Sequence, residues 1–312
     1  FDEQHKAAPS ALYELIRLSR SRACGSRSTC RSAAKGFPAD TEGKLLKIAK
    51  ELGAKGSVYV QEEALGTAHA IYCAKDSLSG NCVVAYADTL FKADFTLDVN
   101  ADGAIWVTQV ENPSAFGVVK LDNGVITDFV EKPKNFVSDL AIIGIYYFKS
   151  GEKLLEEIQY LIDNDLKENN EYQLTNVLES LKAQGAKFIP GEVSTWMDCG
   201  KKDPTVETNK IILGFEQNDG NNLVSDDVVQ ENSKIIQPCH VGKNVVLKNT
   251  TIGPYVSLGE NSVIENSTIS NSLIQTNVHI SNANLDNAMI GNHAKFNGNF
   301  TSVSIGDYSE LT

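Results

Sequence analysis

Positive charge is scarce in this 312-residue chain: 28 Lys and Arg stand against 40 Asp and Glu, a formal net charge of −12. A protein that neutralises a phosphate backbone over an extended surface needs the opposite balance, so nucleic acid is not an expected partner. Long apolar runs are also missing. Stretches such as Ala141 to Phe148 fall far short of a bilayer span, and nothing at the start has the pattern of a signal peptide. A soluble, cytoplasmic protein with no membrane partner is therefore expected. The six cysteines (Cys24, Cys30, Cys73, Cys82, Cys199, Cys239) form no Cys-x-x-Cys pair and have no His partner at zinc spacing. Reduced structural thiols fit that scatter better than a metal framework. At this length the chain is expected to hold two units, because single cores rarely keep growing so far.

Arginine is confined to the first tenth of the chain. All of it (Arg17, Arg20, Arg22, Arg27, Arg31) lies in "RLSRSRACGSRSTCR", and the later residues use only lysine. This stretch has neither a strand nor a helix period beyond the short "ALYELIRL". Residues 1–43 are accordingly set apart as an atypical segment with no packed element expected. They read either as a basic arm for anions or a partner, or as sequence foreign to the fold that follows.

From Lys44 the pattern is regular. "EGKLLKIAKELGAKG" has a helical face of Leu45, Leu46, Ala49 and Leu52 ended by Gly53, and "SVYVQ" follows as a strand. A helix from about Thr67 to Asp76 precedes the apolar run "VVAYADTLF". Further strands are expected at "AIWVTQV", "FGVVKL", "VITDFV" and "LAIIGIYYF", with helices near 151–164 and 173–184. Such alternation predicts α/β layers around a largely parallel sheet. Ligands of open sheets bind beyond the carboxyl ends of strands. Val83 to Ala87, expected to be buried on both faces, would deliver Asp88 to that edge, and "STWMDCGKKDP" would deliver Asp198 in the same way. Two carboxylates at strand ends suit a hard cation that keeps several waters.

Several segments, taken in order, resemble the sugar-1-phosphate nucleotidyltransferases, the family of glucose-1-phosphate thymidylyltransferase and mannose-1-phosphate guanylyltransferase. They are "QEEALGTAHAI", "YADTLF", "FGVVKLDNGVITDFVEKP", "IIGIYYF" and "WMDCG". The resemblance covers residues 44–213 and implies a Rossmann-like nucleotidyltransferase domain. It also implies roles. Gln61, Gly66 and Thr67 would meet the nucleotide, Gly66 because a backbone approaching a flat ring leaves no room for a Cβ. Asp88 and Asp198 would hold Mg²⁺. Gly117, Glu131, Lys132, Gly144, Tyr146 and Trp196 would surround the sugar phosphate, with Lys132 as a point charge on phosphate and Lys132, Asp88 and Asp198 as the catalytic set. Glu171, in "NNEYQLTNVL", either touches the sugar or is a helix-start residue favoured by the dipole.

The implied partners are a nucleoside triphosphate and a sugar 1-phosphate. The implied reaction is in-line attack of the sugar phosphate on the α-phosphorus with release of pyrophosphate, which needs positioning and charge neutralisation more than covalent help. The family's opening strand and Gly-x-Gly-Thr-Arg-Leu turn have no counterpart in residues 1–43. The expected activity is therefore conditional on what replaces that anion nest.

Beyond a polar linker at 214–234 the period changes. Val241, Leu247, Ile252, Leu258, Ile264, Ile269, Ile274, Ile280, Leu285 and Ile290 follow one another at five- or six-residue steps. That beat predicts a β-solenoid over 235–312 and resembles the left-handed parallel β-helix of hexapeptide-repeat proteins. Such coils implicate homo-oligomers. Two alternatives remain open: a non-catalytic solenoid that binds a nucleotide sugar or assembles, and an acyltransferase using His240, His279 or His293.

Overall fold

A computed structural model describes residues 28–34, 41–51, 53–93, 101–298 and 303–311. Two compact units result, one ending at Trp196 and the other beginning at Met197. Among the described residues no helix is long and apolar enough to cross a membrane.

The first unit runs β1 (Ser28–Ala34), α1 (Thr41–Glu51), β2 (Lys55–Gln61), α2 (Thr67–Tyr72), β3 (Cys82–Ala85), β4 (Thr89–Lys92), β5 (Gly103–Gln109), β6 (Gly117–Asp122), β7 (Val125–Glu131), β8 (Leu140–Phe148), α3 (Gly151–Asp163), α4 (Leu174–Ala183) and β9 (Phe188–Glu192), and ends within β10 (Thr195–Asp198). β1 pairs in parallel with β2, from Ser28 opposite Lys55 to Ala34 opposite Gln61. A strand thus occupies part of the segment expected to hold no packed element. Ladder hydrogen bonds are made by the main chain and need no apolar period to form. Residues 1–27 and 35–40 of that segment lie outside the described residues.

The main sheet has the order β7-β6-β8-β5-β9, with β3 also paired to β8. It is mixed rather than largely parallel: β8 is antiparallel to β3, β5 and β6, β6 is antiparallel to β7, and β5 runs parallel to β9. β8 explains the misreading. Ile142, Tyr146 and Phe148 point into a core shared with α2, α3 and α4, while Ile143, Ile145 and Tyr147 point into a second core on the other face with Phe91 and Trp106. A strand covered on both faces reads as one apolar run whatever its partners' direction. β3 is the converse case. Expected to be buried on both faces, it alternates instead and leaves Val83 55% exposed, because among the described residues it pairs only with β8.

The helices follow their sequence pattern. Ser150 caps α3 by accepting from Lys153 N at 3.2 Å, and Leu154, Ile158 and Leu161 bury one stripe of it. Leu174, Val177, Leu178 and Leu181 do the same for α4.

The second unit contains α5 (Lys202–Asn218), so the boundary expected at 213 falls inside a helix. After α5, short strands stack in parallel into three sheets. Leu247, Ile264, Ile280 and Phe296 are successive partners in one sheet. Ile252, Ile269 and Leu285 are partners in the second, and Leu258, Ile274 and Ile290 in the third. One coil takes 17 residues from Leu247 to Ile264 and 15 from Phe296 to Leu311. The five- or six-residue beat is therefore one third of a coil, and all ten predicted apolar residues are buried. The first strand of the coil, Val229–Glu231, lies inside the expected linker.

At the corners the chain turns through the left-handed region, chiefly on Asn: Asn232, Asn249, Asn266 and Asn282 at one, Asn244, Asn261 and Asn277 at another. Asn tolerates this conformation better than other residues with a Cβ. The first set also forms an amide ladder, each Nδ2 donating to the next Oδ1 at 2.9, 3.2 and 3.4 Å. The ladder lines an open polar groove of about 840 Å³.

Candidate functional site

In the first unit, sequence-remote segments converge on a cluster of hydroxyls and carboxylates. β2 ends on Gln61, which is buried, and the chain loops to Gly66, at φ 102° and ψ 176°. That conformation is essentially restricted to glycine, and the surroundings demand it too. A Cβ on Gly66 would lie 2.6 Å from the Tyr172 carbonyl oxygen and 2.9 Å from Glu171 Cβ. The segment before α4 clamps this loop: Tyr172 N donates to Leu65 O at 2.8 Å, and Ala68 N to Tyr172 O at 2.9 Å.

Glu171 thus backs the Gly66 loop. It precedes the α4 cap Gln173 and accepts from the Gln173 side chain at 2.7 Å, so it is not a residue of the helix's first turn. Thr67 Oγ1 accepts from Leu174 N at 2.9 Å and is hydrogen-bonded to Tyr86.

Tyr86 leads from there toward β6, β7 and β8. Its ring lies against Gly144, at φ 81°, where a Cβ would come 2.8 Å from Tyr86 Cδ2. Its backbone N donates to Gly144 O at 2.9 Å. The Tyr86 and Tyr146 rings are 5.5 Å apart and their hydroxyls are hydrogen-bonded, extending the chain of hydroxyls from Thr67. Burial pushes the Tyr86 phenol up to about 12, with the charges of Glu131 and Asp88 adding to it against the hydrogen bonds from Thr67 and Tyr146. Burial raises the Tyr146 phenol well above its ordinary value, with Tyr86, Glu131 and Asp88 adding to the effect. Both carboxylates therefore act on the same pair of phenols, although 43 positions separate Asp88 from Glu131.

Glu131 ends β7 opposite Gly117 on β6. A Cβ on Gly117 would lie 3.1 Å from Glu131 Oε2, the oxygen that also accepts from Thr175 Oγ1 at 3.2 Å. Lys132 Nζ is 3.6 Å from Glu131 Oε1, and the Lys132 side chain is mostly exposed. Its backbone adopts φ 40°, an uncommon conformation for a residue with a side chain. Trp196 packs edge-on against Phe116 at 5.2 Å, and its buried indole N–H has no hydrogen-bond partner among the described residues.

Asp198 belongs to the second unit, where its carboxylate accepts from Gly200 N at 2.7 Å and its carbonyl from Thr208 Oγ1 at 3.0 Å. Among the described residues no group of three or more His, Cys, Asp or Glu is placed to hold a metal ion. Asp88 is an oxygen donor, half-buried, in a turn shared electrostatically with a second carboxylate. That donor chemistry fits a hard divalent cation.

The sequence reading left two residues of this cluster unassigned. Tyr86 sits beside the acid in "YADTLF" and is the hydroxyl between Thr67 and Tyr146. His69, in "GTAHAI", accepts at Nδ1 from Gln61 Nε2 at 3.0 Å. Burial lowers its imidazole below the ordinary range, against the opposing charge of Glu63.

The profile of the nucleotidyl transferase family matches residues 37–214, more than half of the chain. The chain belongs to this family. Glucose-1-phosphate thymidylyltransferase of Streptomyces griseus is 27% identical over 68% of the chain and 64% of its own length. Bifunctional protein GlmU of Methanococcus aeolicus is 34% identical over 57% of the chain and 43% of its own length. The chain thus spans less than two thirds of the length of these relatives. Among solved structures, a nucleoside-diphosphate-sugar pyrophosphorylase from Vibrio cholerae aligns at TM-score 0.52 and 19% identity, covering 66% of the chain and 85% of its own. A UDP-glucose pyrophosphorylase complexed with UDP-glucose aligns at TM-score 0.51 and 18% identity, covering 66% and 87%. At these identities the structures establish the fold of the family and nothing finer.

Proposed function

We propose that the chain transfers a nucleoside monophosphate from a nucleoside triphosphate to a sugar 1-phosphate, giving a nucleoside-diphosphate sugar and pyrophosphate. The observation that carries this reading is the hydroxyl chain Thr67–Tyr86–Tyr146. One end, Thr67, follows Gly66, and the middle ring, Tyr86, lies against Gly144, while Asp88 and Glu131 act electrostatically on both phenols. Names given to the relatives, glucose-1-phosphate thymidylyltransferase among them, support the same substrate classes.

Each residue then has a task its chemistry suits. Gly66 lets backbone approach the base, and Thr67 fixes that loop to α4. Glu131 accepts from sugar hydroxyls, with Gly117 leaving the space to do so, and Tyr146 and Gly144 shape the floor under the sugar. Lys132 offers its ammonium to phosphate. Trp196 contributes an indole N–H that has no acceptor among the described residues, and Glu171 supports the base loop from behind. Asp88 and Asp198 are the residues assigned to Mg²⁺, which when bound lowers the repulsion between two anionic reactants. The charges of Asp88 and Glu131 both act on Tyr146, and the two substrates bring further negative charge.

Pyrophosphate release, measured with a panel of triphosphates, glucose 1-phosphate and Mg²⁺, tests the reading. Turnover with at least one pair is expected, falling about 100-fold or more in Asp88→Asn. No turnover with any pair, or full activity in Asp88→Asn, refutes it. Consumption of an acyl-CoA instead supports an acyltransferase.

A further inference from the structure

We infer that Glu179 and Lys182 on α4 close the open edge of β7 in place of a neighbouring strand, and that this edge pairs with a second copy of the chain once they are removed. The device belongs to the sheet and stands apart from the nucleotidyltransferase reading.

β7 is the last strand of the main sheet, and among the described residues it pairs only with β6. Its backbone groups alternate in direction. Lys132 N donates to Phe116 O at 3.0 Å and Val130 stands opposite Val118, so the amides of Val130 and Lys132 face the β6 side and that of Phe129 faces away. The bulge where Lys120 and Leu121 pair with Asp128 and Ile126 bends the strand at Thr127, and leaves Phe129 and Glu131 in regular alternation. An outward row of N–H and C=O groups is a template for another chain. The composition of β7 strengthens that tendency: Val125, Ile126, Thr127, Phe129 and Val130 all favour strands, and its seven residues include no Pro, Gly or Lys. β9, at the opposite end of the sheet, instead carries Pro190 and Gly191, which discourage a further strand.

α4 supplies what β7 lacks. Phe129 N donates to Glu179 Oε1 at 2.5 Å, and Lys182 Nζ donates to Thr127 O at 2.6 Å. In a parallel ladder one residue of the neighbour reaches two residues of its partner strand, its N–H bonding the C=O of one and its C=O the N–H of the residue two further on. The ammonium and the carboxylate take those two places. They are also paired with each other, Lys182 Nζ lying 2.6 Å from Glu179 Oε2. Thr175 continues the row by donating to Glu131 Oε2 at 3.2 Å. Thr175, Glu179 and Lys182 follow at i, i+4 and i+7, one stripe of a helix, while Thr127, Phe129 and Glu131 are alternate residues of the strand. The helix thus matches the strand edge rung by rung, beside the stripe of Leu174, Val177, Leu178 and Leu181 that holds it against the core.

The test is hydrogen exchange of the full chain, resolved to single amides by NMR, together with sedimentation velocity over a range of concentrations. With Glu179→Ala and Lys182→Ala combined, exchange at Phe129 should quicken at least about tenfold, the worth of a hydrogen bond to a charged group. Val130, whose N–H faces β6, should keep its rate. Glu179→Gln, which retains an acceptor oxygen, should keep Phe129 slower than the double variant does. The double variant should also sediment faster than wild type as concentration rises. A loss of global stability would quicken Phe129 and Val130 together. That result, an unchanged rate at Phe129, or identical sedimentation of the double variant and wild type at every concentration overturns the inference.

Discussion

Replacing Gly66 by alanine separates two reasons for a glycine, and Gly185 provides the comparison. Both residues have positive φ, 102° and 98°. At Gly185, which follows α4, a Cβ would meet nothing within 4 Å. The Gly185→Ala change therefore carries only the conformational cost of a left-handed residue, about 1–2 kcal/mol. At Gly66 the same kind of cost, about 1–3 kcal/mol, is joined by contact with Tyr172 O at 2.6 Å and Tyr172 N at 2.8 Å. These are backbone atoms tied down by hydrogen bonds to Leu65 and Ala68, and they cannot swing away as a side chain could. Relief requires distorting two hydrogen bonds worth about 1 kcal/mol each. Gly66→Ala should thus cost about 2 kcal/mol more than Gly185→Ala. At about 2–4 °C per kcal/mol for a unit of this size, scanning calorimetry should show its transition about 4–8 °C lower than that of Gly185→Ala. KM for the triphosphate should rise only in Gly66→Ala, because only that loop faces the proposed nucleotide. Equal midpoints for the two variants would refute the close approach on which the site's geometry depends.

Two further outcomes follow from particular residues. Asn249 sits at φ 51° in the amide ladder, accepting from Asn232 and donating to Asn266. Both Asn249→Ala and Asn249→Gly lose the ladder bonds, but only Ala keeps a Cβ in the left-handed region, so in urea unfolding Ala should be the more destabilised by about 1 kcal/mol; the reverse order would show that the corner does not need that conformation. For His69, burial holds the folded pKa below the ordinary value of about 6.5. As pH falls through that value the unfolded chain takes up the proton first, so stability conferred by the neutral ring is present above it and lost below it. Between pH 7.5 and 5.5 wild type should lose more stability than His69→Asn, and identical losses would contradict the neutral, half-buried imidazole. The carboxylates held low by neighbours, such as Asp165 beside Lys167, act in a more acidic window and do not confuse the comparison.

The solenoid was legible because its physics is written at one residue in five or six. Each coil must bury an apolar side chain on every face, and positions such as Ile264 and Ile280 cannot drift without leaving the core. Its left-handed corners were legible too, although the sequence reading used only the apolar beat. Asn232, Asn249 and Asn266 recur at 17-residue steps, and spaced Asn in a turn-rich repeat has a backbone reason. The direction of the strands in the first unit was not legible. Helices alternate with strands in sequence there, but β5, β6 and β8 form an antiparallel set, and an apolar run such as "IIGIYYF" records only that both faces are covered. β1 was invisible for the opposite reason: its ladder to β2 is made by the backbone.

The site divides along the same line. Residues whose role is to be absent, Gly66, Gly117 and Gly144, were found as glycines inside longer motifs, and the space each leaves is filled by a particular neighbour: Tyr172, Glu131 and Tyr86. A missing Cβ is visible in a sequence, whereas the neighbour that requires its absence is not. Glu171 reaches the site only because the segment before α4 folds back over the Gly66 loop, a contact made across about a hundred positions, and Thr175 reaches it from α4 through Glu131. His69 and Tyr86 were overlooked for a related reason. Each acts on another side chain rather than as a lone acid, base or ligand. Whether Gln61 offers its oxygen or its nitrogen is decided by two atoms, Gly66 O and His69 Nδ1, that lie five and eight residues further along the chain. Spacing can nominate both residues, but only the fold of that loop turns them toward one amide.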